Sequence, residues 1–301
     1  MALGPCCVRG ADATNVPSVR DLRDRIRSLK NTQQITKAMK QVAAAKIRRA
    51  EALQKQSRPY ADAIGAMLRD LIANVGAVDH PFMKPGKGGA PDGVILMTAD
   101  KGLAGSFNAN LIRSAEIHGR EHTRLAWYSV GIKSRNALRR QSGETLQFWP
   151  LAQGDMYTNA VELANRVTAD FTEGRIGSLT LISPKLVNMM TQRPEVRQIL
   201  PITAGESGDA AAPRSGAVEF EPSPEFVLGR LLPKYLEFTL YSAMLETNAS
   251  FYAAQLVAMN NATDNAKKLI DENTIEMNKA RQAAITKEIL EIVGGAEALA
   301  G

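Results

Sequence analysis

The segment TADKGLAGSFNAN, Thr98–Asn110, has the residue types closest to a chemical site in this chain. It follows a short apolar run and opens a predicted helix, so Gly102 and Gly105 could let backbone amides approach an anion such as a phosphate. The glycine spacing matches neither G-x-G-x-x-G nor G-x-x-x-x-G-K-[ST]. Two interpretations of this segment therefore remain open. One is a nucleotide site, and the other, the structural alternative, is a tight turn between strand and helix.

Residues for metal binding or nucleophilic catalysis are sparse. His80, His118 and His122 are scattered without an H-E-x-x-H pattern, and no G-x-S-x-G sequence occurs. The two cysteines, Cys6 and Cys7, are adjacent, which fits neither metal-ligand spacing nor a staple across a fold and is typical of a reducing compartment. We predict no catalytic, cofactor-binding or metal-binding residues and no cofactor.

The middle of the chain alternates predicted strands and helices. Such alternation predicts an α/β fold with a mostly parallel sheet covered by helices. The predicted strands are Val94–Thr98, Leu125–Val130, Leu179–Ser183 and Val196–Ile202, and the predicted helices are Ser106–His118, Ile132–Gln141 and Asn159–Phe171. Loops or linkers are expected at His80–Gly93 and Thr203–Ala217, where glycine, proline and small polar residues cluster.

A long helix is predicted near the N-terminus. Ser18–Arg58 contains no glycine or proline, so about 41 residues, or roughly 60 Å, can be helical without interruption. Its residues keep the three/four spacing of a coiled-coil seam with a polar middle. These seam residues are Leu22, Ile26, Leu29, Gln33, Thr36, Ala43, Ile47 and Ala50.

A second long helix is predicted near the C-terminus. Ser223 is a good N-cap with Pro224 at the first helical position. Pro233 can kink the first turns, after which about 60 residues run without glycine or proline as far as Gly294, or roughly 90 Å. The second seam consists of Leu256, Met259, Thr263, Ala266, Ile270, Asn273, Met277 and Ala280.

Charge favours pairing of these two helices. Ser18–Arg58 has twelve Lys/Arg and three Asp/Glu, a net charge of +9, whereas Lys234–Gly301 has six and nine, a net charge of −3. Several basic side chains are expected to face outward after pairing: Lys37, Lys40, Lys46, Arg48 and Arg49. The small and polar residues of Asn31–Ala50 keep this helix slim, which favours a contact surface over an ordinary solvated helix.

Five collinear blocks of the sequence form a recognisable set. They are VRDLRDRIRSLKNTQQITKAMKQVAAAKIRRAEAL (Val19–Leu53), SRPYA (Ser57–Ala61), TADKGLAGSFNANL (Thr98–Leu111), MNNATDNA (Met259–Ala266) and NKARQAAITKEILEIVGGAEAL (Asn278–Leu299). Together these blocks closely resemble the gamma subunits of F-type ATP synthases. The last block matches that family's signature in full. The resemblance extends from Val16 to the C-terminus.

The resemblance implies a fold and a role. The terminal helices would form a long antiparallel two-helix coiled coil within a hexamer of alpha and beta subunits, and a central Rossmann-like domain would contact epsilon and the membrane c ring. One copy per complex would rotate with proton flow and make ATP synthesis at the beta subunits possible without catalysing any bond change itself. The resemblance also implies partner-contact residues, which are Met39, Lys40, Arg49, Arg281, Gln282 and Thr286.

We accordingly divide the chain into a disordered tail (1–15), an N-terminal coiled-coil helix (16–76), a Rossmann-like domain (77–222) and a C-terminal coiled-coil helix (223–301). No apolar run is long enough to span a membrane, so the expected location is peripheral, on the cytoplasmic face of a bacterial inner membrane through the complex. The pI near 9.3 leaves one alternative, a basic coiled-coil protein that binds nucleic acid. A low aromatic content of 5 % argues against that alternative, because base stacking needs aromatic side chains.

Overall fold

The computed structural model describes residues 18–75, 80–84, 86, 88–141, 143–151, 155–202, 221 and 223–300. Helices and strands alternate between two long terminal helices, as the sequence predicts. In chain order the elements are α1 (Val19–Val75), β1 (Asp92–Met97), α2 (Phe107–Glu121), β2 (Leu125–Val130), α3 (Ile132–Leu138), β3 (Glu144–Trp149), α4 (Met156–Thr172), β4 (Ser178–Asn188), β5 (Thr191–Leu200) and α5 (Pro224–Ala300), with a 3₁₀ turn at Pro81–Met83.

The strands form one sheet in the order β3-β2-β1-β4-β5. β1 pairs in parallel with β2 and β4, and β2 pairs in parallel with β3, whereas β4 and β5 form an antiparallel hairpin. The chain therefore extends the sheet in one direction from β1 and then crosses to the other side for β4, a Rossmann-like arrangement. The predicted fold class is confirmed.

Side chains from β1 point alternately into two apolar layers. Val94 and Leu96 pack in the layer with α2 and with Phe251 of α5, whereas Ile95 and Met97 pack with α4 and the first turns of α5. All four are fully buried. A strand covered on both faces needs a continuous apolar run rather than an alternating one, and the sequence VILM supplies it.

α1 continues for 57 residues, well past the predicted uninterrupted stretch Ser18–Arg58. Pro59 therefore lies inside the helix and does not end it. Proline removes one backbone donor from the helical ladder and normally ends or kinks a helix. Here, Leu68 is fully buried in the core beyond the proline, so packing holds the following turns in place.

α5 begins at Pro224, with Ser223 accepting a hydrogen bond from the Phe226 amide through its hydroxyl (3.3 Å). The predicted cap is therefore confirmed. The helix contains Pro233 and continues through Gly294 and Gly295 to Ala300, a length of 77 residues.

The sequence analysis did not predict β3. Its sequence ETLQFW carries polar residues at alternate positions, and β3 is an edge strand whose side chains are mostly exposed or half-buried. An edge strand needs little apolar content, so the pattern of a buried strand is missing. α4 also begins earlier than predicted, with the Asp155 carboxylate capping the amide of Tyr157 at 3.3 Å.

The described residues fall into two compact units. One contains the described residues up to Ala38 together with those from Asn260 onward, and the other is Met39–Met259. The division into four segments by sequence stays a prediction. The predicted tail and the whole of the predicted loop Thr203–Ala217 lie outside the described residues.

Candidate partner-contact surfaces

In the first unit, the start of α1 pairs with the later part of α5 through a narrow seam. Leu22, Ile26 and Thr36 of α1 are buried, as are Ala266 and Asn273 of α5. All the seam residues predicted within this unit are buried or half-buried, so the three/four pattern identifies the paired faces correctly. Most of these side chains are small or polar, so the seam buries little apolar area.

A hydrogen bond between two threonines crosses this seam. The Thr263 hydroxyl donates to the Thr36 hydroxyl at 2.9 Å, and Thr36 donates in turn to the backbone carbonyl of Gln33 at 3.0 Å. Asn273 is 6 % exposed and satisfies its amide by donating to the Leu269 carbonyl. The Asn273 bond lies within α5, whereas the threonine pair favours one register of the two helices, because a shift would separate the Thr263 hydroxyl from the Thr36 oxygen that accepts it.

The final described side chains of α5 have no such cover. Every residue from Arg281 to Ala296 is exposed. These exposed residues include large aliphatic side chains with 48–71 % of their surface accessible: Ile285, Ile289, Leu290, Ile292 and Val293. Four of these lie at i, i+4, i+7 and i+8, which places them on one stripe of the helix. An exposed apolar stripe of this size is typical of a surface that binds another protein.

The three contact residues predicted on α5 lie at the start of this exposed segment. Arg281, Gln282 and Thr286 are all exposed, and the Thr286 hydroxyl donates to the Gln282 carbonyl at 3.0 Å. They occupy about one and a half helical turns and lie on one side of the helix, so a single partner surface can reach all three.

The three contact residues predicted on α1 belong to the second unit and are more varied. Met39 and Lys40 are half-buried, whereas Arg49 is exposed. Lys40 and Arg49 are nine residues apart, which at about 100° per residue puts them on opposite sides of the helix. One flat partner surface therefore cannot contact both side chains in the same way.

The outward basic residues follow the prediction except at one position. Lys37, Lys46, Arg48 and Arg49 are exposed, whereas Lys40 is half-buried. The Lys46 ammonium group lies 5.3 Å from the centre of the Tyr252 ring, a cation–π distance.

The segment Thr98–Asn110 forms a strand-to-helix turn whose polar side chains bind the protein itself. One carboxylate oxygen of Asp100 accepts from the amides of Ile132 (3.1 Å) and Leu151 (3.2 Å). The Asn108 side chain accepts from the Ala99 amide at 3.0 Å. Gly105 has φ +57°, which explains a glycine there. These contacts support the structural alternative for this segment.

The histidines are also held by neighbouring groups. The rings of His118 and His122 stack with their centres 4.2 Å apart, and His122 Nδ1 lies 2.9 Å from an Asp92 carboxylate oxygen. The Ser178 hydroxyl donates to the other oxygen of Asp92 at 2.6 Å. Burial lowers the pKa of His118. Within the described ranges, no group of three or more His, Cys, Asp or Glu residues could hold a metal ion.

A charge network around the buried Asp170 carboxylate joins β2 to α4. The Tyr128 hydroxyl and Arg166 Nε each donate to Asp170 Oδ2 at 2.8 Å, and Arg175 donates to Oδ1 at 3.1 Å. Burial raises the pKa of Tyr128. Because all these groups satisfy one another, the network is structural and offers no free group for catalysis.

The sequence analysis missed one further surface, the outer part of the β4–β5 hairpin. β1 pairs with β4 only as far as Ile182, whereas β4 and β5 stay paired out to Asn188 and Thr191. Residues 183–195 therefore form a two-stranded extension beyond the β1–β4 pairing, which we name the hairpin arm. Met189 and Met190 form its turn. Two adjacent methionines at a turn, where polar residues are usual, were the feature of the sequence that could have indicated this surface.

Comparison with known proteins gives consistent results. The family model described as ATP synthase matches residues 18–299. The ATP synthase gamma chain of Heliobacterium modesticaldum is 44 % identical over 293 residues, covering 94 % of this chain and 100 % of its own length. That of Ruegeria sp. is 39 % identical over 298 residues, with coverage of 94 % and 100 %.

Two solved structures share the fold. The rotor of the Euglena gracilis mitochondrial ATP synthase contains a chain with a TM-score of 0.63 and 18 % identity, covering 89 % of this chain and 98 % of its own length. The central stalk and c ring of the Tetrahymena thermophila mitochondrial ATP synthase contains another, with a TM-score of 0.56, 23 % identity and coverage of 76 % and 99 %. At these identities the likeness shows the fold. Among the described residues, no helix is both long and apolar enough to cross a membrane.

Proposed function

The chain belongs to the family of ATP synthase gamma chains, and we propose that it is the rotating central shaft of an F-type ATP synthase. The observation that carries this proposal is the exposed apolar end of α5, Arg281–Ala296, which has aliphatic side chains but no cover from the described part of the chain. A rotating shaft needs such a segment, because its surroundings must enclose it without binding one fixed face.

In the proposed complex, alpha and beta subunits form the enclosing hexamer, and epsilon and the c ring contact the Rossmann-like region. One copy of this chain turns with the c ring during proton flow. The complex lies on the cytoplasmic face of a bacterial inner membrane, and this chain is a peripheral component. Catalysis takes place in the beta subunits, and this chain supplies no catalytic group.

The coupling follows from differential contact. A shaft changes the state of a catalytic subunit only if its contact free energy differs between the open and closed forms. The two sides of α1 offer a partner different contacts, because Arg49 is exposed while Met39 and Lys40 are half-buried. As such a helix turns, a given subunit meets first the exposed Arg49 side chain and then the half-buried Lys40 side chain on the opposite side, so an acidic surface of that subunit is attracted more strongly in the first position.

The narrow seam has a role in the same mechanism. Small residues let the two helices approach closely, and the Thr36–Thr263 hydrogen bond keeps their register. A fixed register lets torque pass from one helix to the other without sliding. We assign the enclosing contacts on α5 to Arg281, Gln282 and Thr286, and those on α1 to Met39, Lys40 and Arg49.

The nucleic-acid-binding alternative gains nothing from the structure or the relatives. The exposed segment of α5 is aliphatic, and base stacking requires aromatic side chains at the contact surface.

The proposal is tested by reconstitution. The chain is purified with alpha and beta subunits from the same source, and ATP hydrolysis is measured with and without it. We expect one copy per hexamer and hydrolysis that depends on its presence. An Arg281→Ala/Gln282→Ala variant should weaken the coupling or the ATPase activity of the assembled complex. It should keep the circular dichroism of the isolated chain, because both residues are exposed.

A Lys267→Ala/Lys268→Ala variant is the matched control, since both lysines are exposed on α5 before the uncovered segment. The complex that contains this control variant should have the coupling and ATPase activity of the wild type. A chain that does not associate with alpha and beta, or whose contact variants behave like this control, would refute the proposed role.

A further inference from the structure

The hairpin arm, residues 183–195, has a turn that is held rigidly. The Asn188 side-chain oxygen accepts from the amides of Met190 (2.9 Å) and Thr191 (2.8 Å). From the other strand, the Gln192 side-chain amide donates to the Met189 carbonyl at 2.8 Å. These bonds satisfy backbone groups that a free turn would leave to water, so the turn keeps one conformation.

This rigid turn presents apolar side chains to solvent. Met190 is 79 % exposed, Val187 is 56 % exposed and Met189 is 43 % exposed. None of the three adds to the buried core, so the fold gains little from their apolar character. Methionine adapts its shape to irregular apolar surfaces and is common where proteins bind partners. A preorganised turn lowers the entropy lost when such side chains are buried on binding.

The β4 strand of the arm is also fixed. The Leu186 amide donates to a carboxylate oxygen of Glu246 on α5 at 3.0 Å. The Lys185 ammonium group lies 3.2 Å from the Glu195 carboxylate of the opposite strand. The arm is therefore tied to α5 at one point and braced across its own strands, so its turn has a defined position within this unit.

The exposed charge around the arm is mostly positive. Lys185 and Arg193 face each other across the strands, and Arg197 lies on the same face, four pairs further from the turn. Glu195 is the only acidic residue within the hairpin, and Lys185 already binds it. Arg193 is exposed three residues from Met190, so the surface beside the apolar turn attracts negative charge, whereas Arg197 lies seven residues from Met190 and interacts with the Glu246 carboxylate.

We propose that the hairpin arm is a docking finger whose occupant is an acidic, amphipathic segment of another subunit in the same complex. Met189, Met190 and Val187 enter an apolar depression of that segment, and Arg193 meets a carboxylate at its rim. This inference rests on the proposed function only in requiring that the chain is present in a multisubunit complex.

The test is photocrosslinking in the assembled complex. p-Benzoylphenylalanine replaces Met190, and as a matched control it replaces Ile117 of α2, which is 51 % exposed and lies on a different element. Co-purification is measured first, so loss of the chain from the complex reports on the proposed function and not on the arm. We expect one dominant crosslink from position 190, mapped by mass spectrometry to a segment rich in Asp or Glu.

Charge reversal tests the rim contact separately. Arg193→Glu, in the background that carries the crosslinker at position 190, should lower the yield roughly tenfold, because like charges at an interface repel. Arg113→Glu is the control, since Arg113 is exposed on α2. It should leave the yield unchanged.

Three results would overturn the proposal. One is a yield at position 190 no higher than at position 117. Another is a crosslink to lipid or to a second copy of this chain. The third is a crosslink to a segment without acidic residues whose yield is the same with Arg193→Glu.

Discussion

The hydrogen bond between Thr36 and Thr263 allows a sharp test of how the helix pair keeps its register. Thr36 accepts from Thr263 and donates to the Gln33 carbonyl, so the two hydroxyls are not equivalent. Thr36→Val removes both bonds and leaves the half-buried Thr263 hydroxyl without this acceptor. At about 1 kcal/mol for each bond, we expect a loss of about 1–2 kcal/mol.

Thr263→Val should cost less, about 0.5–1 kcal/mol, because Thr36 still donates to Gln33. The double variant should unfold within about 0.5 kcal/mol of the wild type, since paired methyl groups replace paired hydroxyls of the same shape and gain apolar burial. The double-mutant cycle then gives a coupling of about 1–3 kcal/mol between the two hydroxyls.

The assay is hydrogen exchange of the full-length chain, read by mass spectrometry at the amides of α5 from Asn260 to Met277. Local opening free energies report on this helix pair without requiring the whole protein to unfold in one step. Thr274→Val is the matched control, because the Thr274 hydroxyl donates to Ile270 within its own helix at 2.6 Å. Combined with Thr36→Val, it should be additive. If the Thr36/Thr263 double variant is as unstable as the sum of its single variants, the hydrogen bond does not couple the helices.

Three further predictions concern the second unit. Gly131→Ala should lower the unfolding free energy by about 2–4 kcal/mol in urea titrations, because φ is +92° and a Cβ would lie 2.1 Å from the Thr98 carbonyl oxygen; equal stability would contradict the strain. Tyr128→Phe should cost about 2 kcal/mol in the same assay by removing a donor from the buried Asp170 carboxylate, and an effect under 0.5 kcal/mol would show that water replaces it. Burial lowers the pKa of His118 below its ordinary 6.5, so the folded state binds fewer protons than the unfolded state. The free energy of unfolding therefore falls as the pH drops through and below 6.5. His118→Gln should reduce this loss of stability at acid pH, and an unchanged pH profile would exclude His118 as its cause.

Much of the fold followed from the sequence because its determinants are local. The VILM run predicted β1 as a strand buried on both faces, and the three/four spacing from Leu22 to Thr36 identified the face of α1 that pairs with α5. The Ser223-Pro224 start of α5 was confirmed for the same reason. The edge strand β3 was not predicted, because a strand at the exposed edge of a sheet does not require apolar residues.

The contact surfaces were less accessible to sequence reasoning. Periodicity indicates which side chains face a partner helix but not how far a neighbour covers them, so Lys40 was expected to face outward and is half-buried. The hairpin arm was missed because it depends on where β1 stops pairing with β4, a long-range property of the sheet. The predicted contact residues Met39, Lys40, Arg49, Arg281, Gln282 and Thr286 stay a proposal, and the reconstitution experiment tests Arg281 and Gln282 among them.

The uncovered end of α5 also bears on how a cell handles newly made copies of this chain. The stripe containing Ile285 and Ile289 offers proteases and chaperones an accessible apolar segment as soon as synthesis ends. The narrow seam beside it contributes little burial to resist local opening. The lifetime of a surplus copy therefore depends on how quickly a binding partner covers this segment, so degradation of uncovered copies can match the amount of this chain to that of its partners.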